Sequence, residues 1–529
     1  MSNTATIQRP EPRPEAGLRR GAATLAAAGM LDFALQFLLP VALVRLLPPA
    51  AFADYRLAWL AIGTAMAVAP FTLPRSLLYF LPRSAPGARA AYVHQSVLLL
   101  LGAGACAGLA LGPWNPLLPH SLRALDGAGW FMPAFLTLWV AASLADFLPN
   151  ARGALLAQAR LVVALALLRV ALVALAAMSG RADVVFGALL AYAAIKLSVV
   201  LVEVARHYGW RLWPSHPGAL RTQLTYVLPF GLGSALFLLR GQADQWVAAA
   251  LFPAQAFAAF SIGATIMPLV ALLRNSVGNA IAPRLSALEA GRDVAGMLRL
   301  NQRANLAAAF VLMPALALCA LLAAHIVTLV YTAAYLEAAA VMRINCLALL
   351  GVAVEVSTLT VVLGQGRHLL AADAALLPAS LGAALLGASL WGLPGAALGN
   401  VLTLLAGNAF SFWRVTRATG VPLRRLQRWG ALLRILGAAV AAAGPALLTG
   451  RALGQAMPHS APFFWTMLVP LPGPLLSPPP AAALLAEALV VGAVYLASYV
   501  ALLALAGLWP EARALFGRRP AIVAHAGGA

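Results

Sequence analysis

Apolar runs of about twenty residues recur along the whole chain, each closed by a short segment carrying arginine or proline, and twenty apolar residues is the length a helix needs to cross hydrocarbon. They lie near 21–45, 55–80, 93–112, 130–150, 161–178, 184–204, 222–251, 256–281, 304–324, 338–363, 368–391, 394–414, 430–450 and 483–508, which predicts fourteen transmembrane helices. The runs are too long and too poor in alternation to be barrel strands. The most marked pair, Tyr226 to Leu285, reads as a helical hairpin with a short proline-bearing break. At about 100° per residue Pro229, Gly233, Phe237, Arg240 and Asp244 share one stripe of its first helix, and Met267, Arg274 and Gly278 share one on its second. A charge at mid-membrane depth costs at least about 2.5 kcal/mol. Both stripes are therefore expected to face a polar cavity.

An internal repeat emerges when the runs are compared. LPPAAFADY, Leu47 to Tyr55, joins spans one and two, and FPAQAFAAF, Phe252 to Phe260, joins spans seven and eight. Pro48 pairs with Pro253 and Phe52 with Phe257. Span two leaves through Pro82-Arg83 and span eight through Pro283-Arg284. Six spans separate the copies, so both have one orientation. The expected fold is an all-α polytopic membrane protein with two six-helix lobes in a parallel pseudo-twofold repeat around a central cavity, plus two C-terminal helices. The divisions are 1–20, a cytoplasmic tail; 21–208, the N-terminal lobe; 221–416, the C-terminal lobe; 430–508, spans thirteen and fourteen with a proline-rich outer loop at 451–482; and 509–529, a second cytoplasmic tail.

Composition removes the competing classes. Apolar residues make up 62% of the 529 and charged residues 10%, with a mean hydropathy of +0.87, which excludes a soluble globular domain. The net charge of +20 is not a nucleic-acid signature, because basic residues gather in cytoplasmic loops. With the N-terminus inside, the outer segments hold only Arg45, Arg56, Arg123, Arg181 and Arg451, and Arg75, Arg169, Lys196, Arg240, Arg274, Arg343 and Arg434 fall within spans. All other basic residues fall on the inner side, so both termini are expected in the cytoplasm. No cleavage motif follows the polar N-terminal tail, so no signal peptide is expected. Cys106, Cys319 and Cys346 sit in or beside apolar runs and read as small core residues. The charged segment 286–303 suits an amphipathic helix on the inner bilayer surface. Neither a phosphate-binding loop nor a histidine metal constellation occurs, and no cofactor is expected.

At the repeated hairpins the sequence resembles a known family. Pro229, Gly233, Gln242, Asp244, Ala256-Phe257, Pro283-Arg284, a charged stretch, Pro314, Tyr331 and the run Tyr335-Leu336-Glu337-Ala338-Ala339 follow the order and spacing of Wzx-type polysaccharide flippases of the multidrug/oligosaccharidyl-lipid/polysaccharide (MOP) exporter superfamily. VRLLPPAAFADY followed by LPRSLLYFLPRS looks like the first hairpin of that family, and the likeness covers about residues 21 to 416. One departure is Ala53, after Phe52, where the family usually has Gly. The resemblance implies two lobes around a central cavity. It also implies movement of an isoprenoid-diphosphate-linked oligosaccharide to the outer leaflet of the inner membrane by alternating access. The implied partners are that lipid-linked oligosaccharide, membrane lipids, other polysaccharide-assembly proteins and a coupling cation, H+ or Na+.

Against that expectation the polar residues within spans take candidate roles. Arg75 and Arg274, near the cytoplasmic ends of spans two and eight, suit a diphosphate, since a guanidinium fork matches phosphate oxygens; the plainer reading is snorkelling to the inner headgroups. Arg240 and Asp244 either neutralise each other or divide the labour, Arg240 binding the anionic headgroup and Asp244 titrating or taking a cation. Asp32 shares a stripe with Gly29 and Gln36 and has no obvious partner in its own helix, which makes it a coupling-ion candidate, although a bond to a neighbouring helix would explain it equally well. Gln36 joins the arginines as a cargo-binding candidate. Lys196 and Arg169 are expected to pair within their lobe, with Asp146 available, whereas Arg343 and Glu355, twelve residues apart, need partners on other helices. The alternatives are a cation-coupled multidrug exporter, which favours acids and aromatics in its cavity, and a membrane glycosyltransferase or polysaccharide polymerase. The second needs acids or arginines on a large outer loop, and 451–482 offers only Arg451 and His459. No enzyme activity is expected.

Overall fold

The computed structural model describes residues 15–125, 129–209, 218–456 and 481–516. Among these residues all regular structure is helical, and twelve helices are long and apolar enough to cross a membrane. The chain is an all-α polytopic membrane fold. It divides into two compact units, Met1–Ala235 and Leu236–Ala529.

The first unit contains α1 (Glu15–Leu46), α2 (Pro49–Val68), α3 (Leu73–Arg83), α4 (Pro86–Ala110), α5 (His120–Leu125), α6 (Phe131–Ala142), α7 (Leu148–Ala151), α8 (Leu155–Ala177), α9 (Ala182–Tyr208) and the first part of α10 (Ala219–Arg240). The second predicted span is broken. Phe71 and Thr72 take φ of 43° and 58°, in the left-handed region that side chains with a Cβ disfavour, and the helix restarts as α3. Gly231 of α10 lies against this break: a Cβ there would stand 2.5 Å from the Phe71 ring and 2.9 Å from its carbonyl oxygen. Close by, Gln223 donates to Ser76 and Ser96 at 2.8 and 3.1 Å and accepts from Gln95. This fully buried network fastens α10 to α3 and α4, because each polar group removed from water must find a partner.

The second unit continues with α11 (Ala243–Leu251), α12 (Ala254–Gly263), α13 (Ile266–Ala290), α14 (Val294–Leu321), α15 (Ala323–Ile326), α16 (Ala338–Val352), α17 (Ser357–Val362), α18 (Gly366–Thr419), α19 (Leu423–Leu426), α20 (Trp429–Ala441), α21 (Ala443–Ala456), α22 (Ala481–Leu505) and α23 (Trp509–Phe516). At about 1.5 Å per residue the 54 residues of α18 would far exceed a hydrocarbon core of about 30 Å. It instead doubles back at Trp391 and Gly392, whose dihedrals are non-helical. Its two arms touch backbone to backbone, since a Cβ on Gly387 would overlap the Gly395 carbonyl and one on Gly399 would stand 2.2 Å from the Ala384 nitrogen. Small residues permit this approach.

The paired hairpin residues adopt one local geometry, each within its own unit. Pro48 and Pro253 cap α2 and α12 with φ/ψ of −56°/152° and −57°/151°, and each prolyl carbonyl accepts from the amide of the phenylalanine four residues on, at 3.0 and 2.9 Å. Phe52 and Phe257 are both fully buried. The proline fixes φ and costs no hydrogen bond at a helix start, so it sets the entry angle.

Two sequence expectations are corrected here. The stretch Tyr226 to Leu285 is not two continuous helices: turns at Gly241-Gln242 and Ala264-Thr265 cut it into α10 to α13. The segment 286–303 is not a separate surface helix, because α13 runs to Ala290, the chain turns through Gly291 and Arg292, and Asp293 caps α14 by accepting from the Gly296 amide at 2.7 Å. The short polar side chain of Asp293 starts a new helix where amphipathic spacing alone suggested a continuous one.

Candidate functional site

Three groups of charged side chains within the helices contain candidate residues, one group in the first unit and two in the second. In the first unit a cavity of about 410 Å³ opens between α1, α2, α6, α8 and α9. Its charged lining is Asp32, Asp146, Arg169 and Lys196, set among Trp59, Trp139 and Tyr192. Arg169 reaches Asp32 at 3.1 Å, and Lys196 binds both oxygens of Asp146 at 2.9 and 3.0 Å. Gln36, one helical turn from Asp32, donates to its other oxygen at 2.8 Å. Asp32 is thus not the unpaired acid that its helix stripe suggested, since it holds a partner on its own helix and a cation from α8. Trp139 packs edge-on to Trp59 at 6.1 Å and lies 6.0 Å from the Lys196 ammonium, so the cavity pairs aromatic faces with two carboxylates.

The second unit places Arg240 at the end of α10. Its Nε approaches Asp373 of α18 at 3.0 Å and its Nη1 donates to the Thr403 carbonyl at 3.0 Å. The ion pair with Asp244, one of the two readings of that stripe, does not form. α10 ends at Arg240 and the Gly241-Gln242 turn follows, so the register of about 100° per residue is lost before Asp244. Asp244 is 1% exposed; one oxygen accepts from the Gln245 amide at 2.9 Å and the other has no hydrogen bond among the described residues. Asn400 stands beside it and donates to Met267 Sδ at 3.7 Å.

Arg274 belongs to a second cluster, around an unwound stretch at residues 353–356 between α16 and α17. Its Nη1 donates to the Ala353 carbonyl and its Nη2 to Asn305 Oδ1, both at 3.0 Å, and Glu355 lies 3.1 Å away. Asn305 donates to the Glu355 carbonyl at 2.8 Å and accepts from its amide at 3.3 Å, while Asn408 donates to the carbonyls of Gly351 and Val354. Gly278, on the same face of α13 as Arg274, lets Thr358 approach, with 2.7 Å from its would-be Cβ to Oγ1. Unwound backbone survives in a membrane protein only where its groups are satisfied internally, and three side chains from three helices do so here. Arg343 donates to the Ala320 carbonyl at 3.3 Å. Arg75 is exposed on α3 with no ion pair among the described residues.

Sequence reasoning missed Asp373, Asn305 and Asn408. The first was within reach, because an acid inside the eleventh apolar run is rare in a chain with only 16 acidic residues. The asparagines gave no signal of their own, because the backbone break they serve is invisible in apolar sequence.

No protein-family model and no curated protein matches the sequence. Among solved structures, one described as a lipid II flippase, MurJ, in an inward closed conformation superposes with a TM-score of 0.58 at 12% identity, covering 90% of this chain and 98% of its own. Another, an inward-facing multidrug resistance MATE family transporter of the MOP superfamily, gives 0.57 at 15% identity, covering 76% of this chain and 98% of its own. At these identities the likeness is one of fold.

Proposed function

We propose that this protein is a Wzx-type flippase that moves an isoprenoid-diphosphate-linked oligosaccharide across the cytoplasmic membrane, by alternating access, for assembly of a cell-surface lipopolysaccharide or exopolysaccharide. The observation that carries this reading is the placement of Arg240 and Arg274. Both guanidinium groups are less than a tenth exposed among apolar helices, Arg240 at the C-terminal end of α10 and Arg274 beside the unwound stretch 353–356, and the Thr403 and Ala353 carbonyls fix them in place. Fixed guanidinium forks suit phosphate oxygens, and discontinuous helices are the usual site of charge recognition in transporters. The fold shared with a structure described as a lipid II flippase supports the same class of cargo. The chain acts as a transporter and not as an enzyme in this reading.

The proposed topology has fourteen crossings, with six-helix lobes at 21–208 and 221–416 and both termini cytoplasmic. The fold-back within α18 supports counting it as two crossings, and the basic residues support the orientation. Residues 457–480 of the outer loop and 517–529 of the C-terminal tail lie outside the described residues. A reporter fused within 451–482 is expected outside the cell and one fused after Arg519 inside. A cytoplasmic signal from the first fusion would remove spans thirteen and fourteen from this topology.

One observation favours a second reading, a cation-coupled multidrug exporter: the first unit's cavity combines aromatic rings with Asp32 and Asp146, a lining that suits an organic cation. A strain lacking the gene separates the two. The flippase reading expects lipid-linked glycan to accumulate and surface polymer to disappear, whereas unchanged glycan pools with heightened sensitivity to cationic drugs would establish the exporter. In either reading Asp32 and Asp244 are the proposed sites of H+ or Na+ coupling. Asp244→Asn is expected to lower transport by about ten-fold while protein level falls less than two-fold, since Asn keeps the size and hydrogen bonding but removes the charge; Asp32→Asn also leaves the buried Arg169 without its counter-charge, so its protein level is expected to fall further, though still by less than its transport. Parallel losses of transport and abundance would make these acids structural.

A further inference from the structure

Among the described residues, four arginine or lysine side chains inside the apolar helices pair with a carboxylate, and in all four the cation is the more buried partner. Side-chain exposures of Arg169, Lys196, Arg240 and Arg274 are 7, 13, 7 and 9%, whereas those of their acids Asp32, Asp146, Asp373 and Glu355 are 30, 46, 17 and 27%. Neutralisation alone does not demand this polarity, because burying a carboxylate and burying a guanidinium both carry a desolvation cost. The arrangement holds each cation in the protein and leaves the anion on the open side.

The Arg274 cluster shows what this permits. Its guanidinium is anchored from behind by the Ala353 carbonyl and Asn305, so it stays in place whether or not Glu355 is present. The main chain of Glu355 is anchored separately, its carbonyl and amide both bonded to Asn305. Its side chain can therefore leave without unwinding more backbone. The Arg274 Nε is also buried without a hydrogen-bond partner, which leaves one donor of the fork unused while Glu355 occupies the site.

We propose that Glu355 is a built-in stand-in for the cargo: its carboxylate occupies the Arg274 fork in the resting protein, and the diphosphate displaces it. The inference rests on the reading that the cargo carries a diphosphate. A resident anion spares the buried guanidinium from ever being uncompensated, and it sets a threshold, since a cargo must outcompete a carboxylate to enter. A diphosphate with several charged oxygens does so, and a neutral or singly charged lipid does not.

The test measures binding of farnesyl diphosphate to the detergent-solubilised full-length protein, with farnesol as the uncharged control. Glu355→Gln keeps an acceptor for Arg274 but removes the competing charge, so it is expected to bind farnesyl diphosphate about ten-fold more tightly than wild type, as loss of one charge-assisted competitor would give. Arg274→Ala and the double variant are expected to bind at least about ten-fold more weakly than wild type, and farnesol binding should not change. If Glu355→Gln does not accumulate, Glu355→Asp, a methylene shorter and a poorer reach to the fork, must shift affinity in the same direction. Unchanged or weaker binding by the Glu355 variants, with Arg274→Ala still impaired, would overturn the stand-in and leave the diphosphate reading intact. Wild-type protein that binds farnesyl diphosphate no better than farnesol, with no gain in Glu355→Gln, would overturn both.

Discussion

Arg240→Ala is expected to abolish transport and to cost about 3–5 kcal/mol of stability, the range for removing one member of a buried pair. Asp373 would be stranded at 17% side-chain exposure and the Thr403 carbonyl would lose its donor. Domains are stable by only about 5–15 kcal/mol, so the protein level should fall visibly. The double variant Arg240→Ala/Asp373→Asn removes the stranded charge and should restore the level without restoring export. Had the helix stripe been right, the rescuing partner would be Asp244, so Arg240→Ala/Asp244→Asn makes a direct comparison: the structure expects no rescue from it. Membrane-fraction protein and surface polysaccharide, measured together, decide the matter. Rescue by the Asp244 change and not by the Asp373 change would place Arg240 in the wrong pair.

The fold-back of α18 carries the other large expected effect. A Cβ on Gly399 would stand 2.2 Å from the Ala384 nitrogen and 2.4 Å from its Cα, and backbone atoms cannot step aside as a flexible side chain can. Gly399→Leu must part the two arms and is expected to cost about 3 kcal/mol or more. Gly382→Leu, on the facing arm but with nothing within 4 Å of its would-be Cβ, should leave stability nearly unchanged. Thermal unfolding in detergent checks the pair. Equal midpoints for the two variants would mean that the arms are not in contact.

What the sequence made legible follows from which forces act locally. Apolar length places the helices, because the bilayer imposes it on each span separately. The hairpin entries at Pro48 and Pro253 are legible because proline fixes φ within the residue itself, and the fold-back at Gly392 is marked by glycine followed closely by Pro394. The helix breaks at 241–242, 264–265 and 353–356 were hidden, since the apolar runs resume within a few residues on either side of them and the groups that stabilise the last come from distant helices. Asn305 and Asn408 lie far from Glu355 in sequence, and periodicity reports on one helix at a time. The same limit explains the partners. Asp32 with Gln36 is an i to i+4 bond within a continuous helix, open to inspection, whereas Arg240 and Asp373 lie on helices far apart in sequence. A turn of two residues was enough to divert the first half of that stripe from Asp244.

The central claim, movement of a diphosphate-linked glycan, is tested most directly with the purified protein in liposomes. A fluorescent polyprenyl-diphosphate saccharide is placed in both leaflets, and a membrane-impermeant quencher reports how much reaches the outer one over time. The account predicts quenching that proceeds past the outer-leaflet half with wild-type protein and stalls at that half with Arg240→Ala/Asp373→Asn, which keeps the fold but lacks the guanidinium. Wild-type liposomes that stall at half quenching, like protein-free liposomes, while the same preparation moves an organic cation, would contradict it.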